Sequence, residues 1–121
     1  MPDEREAGEI VRDLDDYQRR AARTLNPALD RERRLMDAAA GLAEEAGEVL
    51  GAVRKHLFVG HPLDRERVVK ELGDALWCLA ALAGALDVPL SEVARANLAK
   101  LRLRHPDGFT PDGSRRPDGE R

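Results

Sequence analysis

The chain is expected to be all-α, built from about four helices. Three observations predict this. Apolar residues recur at spacings of three and four along most of the chain, and no run alternates with the period of two that marks a strand. Charged residues make up 36% and apolar residues 42%, enough for a core with solvated helix faces. Aromatic residues are only 3%, poor material for a sheet. At 121 residues, one domain is the natural reading.

The first helix is expected over Ile10 to Leu25, where Ile10, Leu14, Tyr17, Ala21 and Leu25 form a stripe. Asn26-Pro27 ends it, because the residue before proline avoids the helical region. The second is expected over Arg31 to Leu57, with Asp30 as N-cap and Leu35, Ala39, Leu42, Ala46, Val49, Val53 and Leu57 as its stripe. Gly41, Gly47 and Gly51 lie inside it, each costing ~1 kcal/mol relative to alanine, which is tolerable where something must approach closely. The third runs from about Asp64 to Leu86. Its second half, Ala75 to Leu86, has no charged residue and should be buried on all sides or at a subunit interface. It is too short to span a bilayer. The fourth is expected to start with Ser91 as cap and to end near Arg104. Residues 1–9 and 110–121 read as flexible ends around a single domain of residues 10–109. The repeated Pro-Asp-Gly of the C-terminal stretch carries the second reading.

Composition also excludes functions. A net charge of −3 argues against binding nucleic acid or an anionic membrane through bulk charge. Cys78 is the sole cysteine, so no intramolecular disulfide framework or cysteine-cluster zinc site is possible. The charged N-terminus lacks the apolar core of a signal peptide, and a cytoplasmic location is expected.

Chemistry is expected from carboxylates. Acids three apart on a helix share a face and can share a cation. Asp3/Glu6, Glu6/Glu9 and Asp13/Asp16 lie in a charged stretch that solvation explains. Glu45/Glu48 and Glu71/Asp74 differ, because each flanks a face that should be packed. Antiparallel packing of the second and third helices would gather these four carboxylates. Burying that much unpaired charge is prohibitive, and a divalent cation, Mg²⁺ as the hard-ligand choice, would resolve it. The alternative is that all four are solvated or paired with arginines such as Arg54 and Arg67. A di-iron carboxylate site needs Glu-x-x-His on two helices, and none precedes His56, His61 or His105.

Glu44-Glu45-x-x-Glu48 followed after 22 residues by Glu71-x-x-Asp74 resembles the signature of MazG-like nucleoside triphosphate pyrophosphohydrolases. The segments around it agree. Asp16-Tyr17-Gln18, Gly41 to Val49, Lys55 to Asp64, Lys70 to Trp77, and Asn97 to Arg104 with Pro106 to Phe109 are similar to single-domain phage and bacterial members. His105 stands where such sequences often carry tyrosine.

The resemblance implies a four-helix MazG-like bundle completed by homo-oligomerisation, as a dimer or tetramer. It implies hydrolysis of a nucleoside triphosphate to monophosphate and pyrophosphate, with Mg²⁺ and with Mn²⁺ able to substitute. The metal ligands carry over onto Glu45, Glu48, Glu71 and Asp74. Glu44 is a candidate for supporting the ligands or orienting the attacking water. Cations must hold the phosphates. Lys55, Lys70 and Lys100 are the only lysines beside 17 arginines, and all lie in matching segments. Lys100, with Asn97 and Arg104 on the same helix face, is the best candidate contact, and Lys55 is another. Tyr17, Gln18 and Trp77 are the groups available to recognise a base; core packing is the competing role for Tyr17 and Trp77. A phosphoribosyl-ATP pyrophosphohydrolase and a catalytically silent helical interaction module are the other readings.

Overall fold

The computed structural model describes residues 10–115 and, among them, four α-helices and no strand. Helix α1 spans Leu14–Ala21 and is followed by a 3₁₀ turn, Ala22–Thr24. It starts four residues later than the apolar stripe suggests. The Asp13 carboxylate accepts from the Asp16 amide at 2.7 Å and fixes the start there. Ile10 and Val11 therefore precede the helix and lie exposed.

Helix α2 spans Arg31–Arg54, with the expected Asp30 cap accepting from the Arg33 amide at 2.9 Å. It ends in one π-turn, Lys55–Val59, closed by Gly60 at φ 83°. That left-handed conformation suits glycine and stops the helix. Helix α3 spans Arg65–Ala85, capped by Asp64. Helices α2 and α3 form an antiparallel hairpin. Arg31 Nε donates to the Ala85 carbonyl at one end, and Arg67 lies 3.7 Å from Glu48 towards the other.

Midway, a Cβ added at Gly41 would come within 2.9 Å of Cys78 Sγ, so glycine permits the close approach of the two helices there. Replacing Gly41 by alanine would gain helix propensity but force the helices apart. A net loss of about 1 kcal/mol is expected in urea unfolding.

Asp87 at φ 57° turns the chain sharply after α3. Helix α4, Leu90–Arg104, then leaves at 100° to α3. Its cap differs from expectation. Pro89 occupies the N-cap position and provides no side-chain cap, while Ser91 lies inside the helix. The N-terminal amides are satisfied from α1 instead. Gln18 Oε1 accepts from the Leu90 amide at 2.9 Å, and Asp15 Oδ1 accepts from the Ser91 amide at 2.9 Å. The Ser91 hydroxyl donates to Asp15 Oδ2 at 2.6 Å. These bonds hold the Asp15 carboxyl below its ordinary pKa.

One protomer does not close a four-helix bundle. Helix α4 packs on α1 and α3 and has no more than marginal contact with α2. The Asp87 turn directs α4 away from α2. The small core contains Ala80, Ala83 and Leu90, with Tyr17 and Leu76 packed against it. No large side chain among the described residues is fully buried. After Arg104 the chain folds back. Residues Asp112–Ser114 form a 3₁₀ turn, and a Cβ at Gly113 would collide with the Arg104 carbonyl. This turn lies within the stretch expected to be flexible; residues 1–9 and 116–121 lie outside the described residues.

Candidate active site

Helix α2 sets Glu45 on the face turned to α3, and α3 carries Glu71 and Asp74 about one turn apart. One carboxylate oxygen from each of the three lies within 4.8 Å of the others. Glu45 is half-buried, and its Oε2 is buried with no hydrogen-bond partner. Its pKa is pushed up to about 7. The causes, in order, are a hydrogen bond shared with Glu71, burial, and the charges of Glu71, Asp74 and Glu48. A carboxylate oxygen buried without a donor, among further carboxylates, is a poor arrangement for stability alone. The donor set is all hard oxygen, which fits a divalent cation such as Mg²⁺.

Glu48, the fourth expected ligand, follows one turn along α2 but is 54% exposed. Its Oε2 lies 3.7 Å from Arg67 Nη2. Arg67 Nε also lies 4.0 Å from Glu71 Oε1. Arginine pairing thus takes up part of the acid cluster, on the side where Glu48 sits. The spacing of Arg67, four residues before Glu71, already carried that signal. Glu44 is exposed on α2 and stands outside the trio.

The residues expected to recognise a base divide between two places. Trp77 donates from Nε1 to the Thr24 hydroxyl at 2.7 Å and lines a cavity of about 210 Å³ between α1 and α3. Leu25, Ala81 and Gly84 form more of its apolar wall, and Gln18 and Arg19 also line it. The cavity begins at Trp77, one helical turn beyond Asp74 on α3. The Gln18 amide is engaged by the fold. Its Nε2 donates to the carbonyls of Ala80 at 3.2 Å and Val88 at 3.1 Å while its Oε1 accepts from Leu90. Gln18→Ala should therefore destabilise the chain by about 2 kcal/mol in denaturant unfolding, since three backbone groups lose their partner. Tyr17 packs against the core, and its pKa is raised first by burial and then by the charges of Asp74 and Cys78.

The expected phosphate contacts lie on other elements than the three acids' shared face. Lys55 is exposed in the π-turn, where His56 Nδ1 and the His61 carbonyl, 2.8 Å apart, tie the loop together. Asn97, Lys100 and Arg104 lie on α4. The acids face α2, whereas α4 leaves from the opposite end of α3, about 16 Å beyond Asp74 along the helix axis. Arg19, at the cavity, carries no motif signal and was not among the expected residues.

Comparison with known proteins gives the family. The family model for the MazG nucleotide pyrophosphohydrolase domain matches residues 34–109, which contain all three clustered acids. Gene 37 protein of Mycobacterium phage L5 is 43% identical over 72 residues, covering 56% of this chain. The match spans 63% of that protein's length. No solved structure matches the chain significantly. With the matched segment running from α2 through α4 and carrying the converging acids, the chain belongs to the MazG nucleotide pyrophosphohydrolase family.

Proposed function

We propose that this protein hydrolyses nucleoside triphosphates, non-standard or in excess, to the monophosphate and pyrophosphate, and so cleans the cytoplasmic nucleotide pool. The observation that carries the reading is the convergence of Glu45, Glu71 and Asp74 around a buried carboxylate oxygen without a donor. Mg²⁺, or Mn²⁺ in its place, would be held by these three, with Glu48 joining on release from Arg67. Bound there, the metal would neutralise phosphate charge and lower the pKa of the attacking water.

The remaining roles fall to the chain's own groups. Arg67, on the acid side of α3, would keep Glu71 oriented once it has released Glu48. Glu44, exposed beside the trio, would support the ligands or orient the water. The cavity beside Trp77 takes the base by shape and stacking, because the Gln18 amide has its hydrogen bonds committed to the backbone. A panel of NTPs and dNTPs with and without Mg²⁺, read as pyrophosphate release, tests the activity. Release from phosphoribosyl-ATP alone would redirect the substrate. Absence of metal-dependent release from every nucleotide would favour a silent interaction module.

The phosphate clamp of Asn97, Lys100 and Arg104 fits this reading when a second protomer brings its α4 to the acids. The exposed face of α3 provides the means. Val69, Leu72, Leu79 and Leu86 lie along one side of it, uncovered. Burying ~600 Å² there at ~25 cal/mol per Å² is worth ~15 kcal/mol before association costs. Closed two-fold pairing is the commonest way to cover such a strip. Sedimentation equilibrium at micromolar concentration checks it: a well-folded 13.4 kDa monomer there would defeat this pairing.

A further inference from the structure

Arg67 stands among the candidate ligands without being bonded closely to any of them. It lies about one turn before Glu71 on α3, and its guanidinium faces two acids. Nη2 lies 3.7 Å from Glu48 Oε2 on α2, and Nε lies 4.0 Å from Glu71 Oε1 on its own helix. Lys55, Asn97, Lys100 and Arg104, the cations and amide expected at the phosphates, belong to other elements.

A charge-assisted N–H···O bond closes to about 2.7–2.9 Å. This chain makes such a bond at the start of α2, where Arg33 reaches Asp30 at 2.6 Å. Arg67 instead stands off both of its carboxylates, and its side chain is 61% exposed. Exposed pairs at such distances add little to stability. Nor does Arg67 reach the acid most in need of a partner, since Glu45 Oε2 is buried with none. Both of its contacts use the Nε–Nη2 edge, and a guanidinium has five N–H donors to offer. Arg67 is therefore a loose counter-ion, readily exchanged, with donors to spare.

We propose that Arg67 is a binding residue for the phosphate chain and makes metal loading conditional on that anion. With no anion present, its charge occupies Glu48 and opposes a divalent cation at Glu45, Glu71 and Asp74. When a triphosphate arrives with its metal, Glu48 gives up Arg67 and joins the other three acids. Nε stays with Glu71, and the Nη groups donate to phosphate oxygens in the forked geometry that suits arginine. One positive charge thus weakens the binding of metal alone and strengthens the binding of metal and phosphate together. That is a positive coupling between two ligands, and by linkage it acts equally in both directions. Metal then enters with the nucleotide rather than ahead of it.

Because the proposal rests on the hydrolase reading, its test measures binding rather than turnover. Mn²⁺ alone is titrated into the full chain and followed by electron paramagnetic resonance. Pyrophosphate is titrated by calorimetry at saturating Mg²⁺. Arg67→Gln should bind Mn²⁺ alone about fivefold more tightly and pyrophosphate about tenfold more weakly. Arg67→Lys returns the charge and should bring the Mn²⁺ affinity back towards that of the wild type. The Arg67 side chain is largely exposed, so both substitutions leave the fold intact. Opposite shifts of the two affinities uphold the proposal, and any other result overturns it. Two unchanged affinities make Arg67 a surface ion pair, and two weakened ones make it structural support. A wild-type chain that binds neither probe removes the hydrolase reading itself, and this proposal with it.

Discussion

Glu45→Gln will lower pyrophosphate release by about 10³-fold while making the metal-free protein more stable at neutral pH. The two effects come from one cause. Glu45 sits where Glu71, Asp74 and burial all disfavour its charge, and its pKa rises from 4.5 to about 7. The folded chain therefore binds more protons than the unfolded chain between those values. The contribution of this group to stability is full below pH 4.5 and is lost as pH rises towards 7. Glutamine keeps the shape, does not titrate and suffers no such loss. The difference in Tm between variant and wild type should widen between pH 4.5 and 7 and stay level above. Adding Mg²⁺ should raise the wild-type Tm and leave the variant nearly unmoved. The control is Asp13→Asn, at an acid pair of the same spacing. Its carboxylate caps α1, so it should cost a little stability and no activity. Equal behaviour of the two variants in the activity assay would remove Glu45 from the site.

Much of this is legible in the sequence. The cap Asp30 stands where the sequence puts it, because a carboxylate three residues before an unsatisfied amide is a local signal. The pairing of Glu45 with Glu71 and Asp74 followed from two helices joined by a short loop, which must run antiparallel. What was not legible is tertiary. Ser91 has the chemistry of a cap, yet Asp15 and Gln18 of another helix took the amides of α4 first. Gln18 has the chemistry of a base contact, yet three backbone groups engage it. Glu48 has the spacing of a ligand, yet Arg67 competes for it. In each case residue type and spacing state what a side chain is able to do. Only the neighbours decide which of its options is used. The direction of α4 had the same origin: a single left-handed residue, Asp87, sends a whole helix away from the bundle.

The exit of α4 makes the last prediction sharp. If Lys100 serves the acids of a neighbouring protomer, Glu45→Gln and Lys100→Ala damage different halves of one composite site. Each variant alone should be nearly inactive, since every site in its homodimer lacks one half. Unfolded together and refolded at equal amounts, half of the dimers will be mixed. In a mixed dimer one site inherits both defects. The other joins the intact Glu45 of one chain to the intact Lys100 of its partner. About a quarter of wild-type activity should return. A site completed within a single chain behaves differently, because each chain then carries its own lesion into its own site and mixing restores nothing. The measurement needs no knowledge of the preferred base, only a nucleotide that the wild type hydrolyses. It also separates a lost catalytic group from a lost fold, because an unfolded variant could not lend its intact half to a partner.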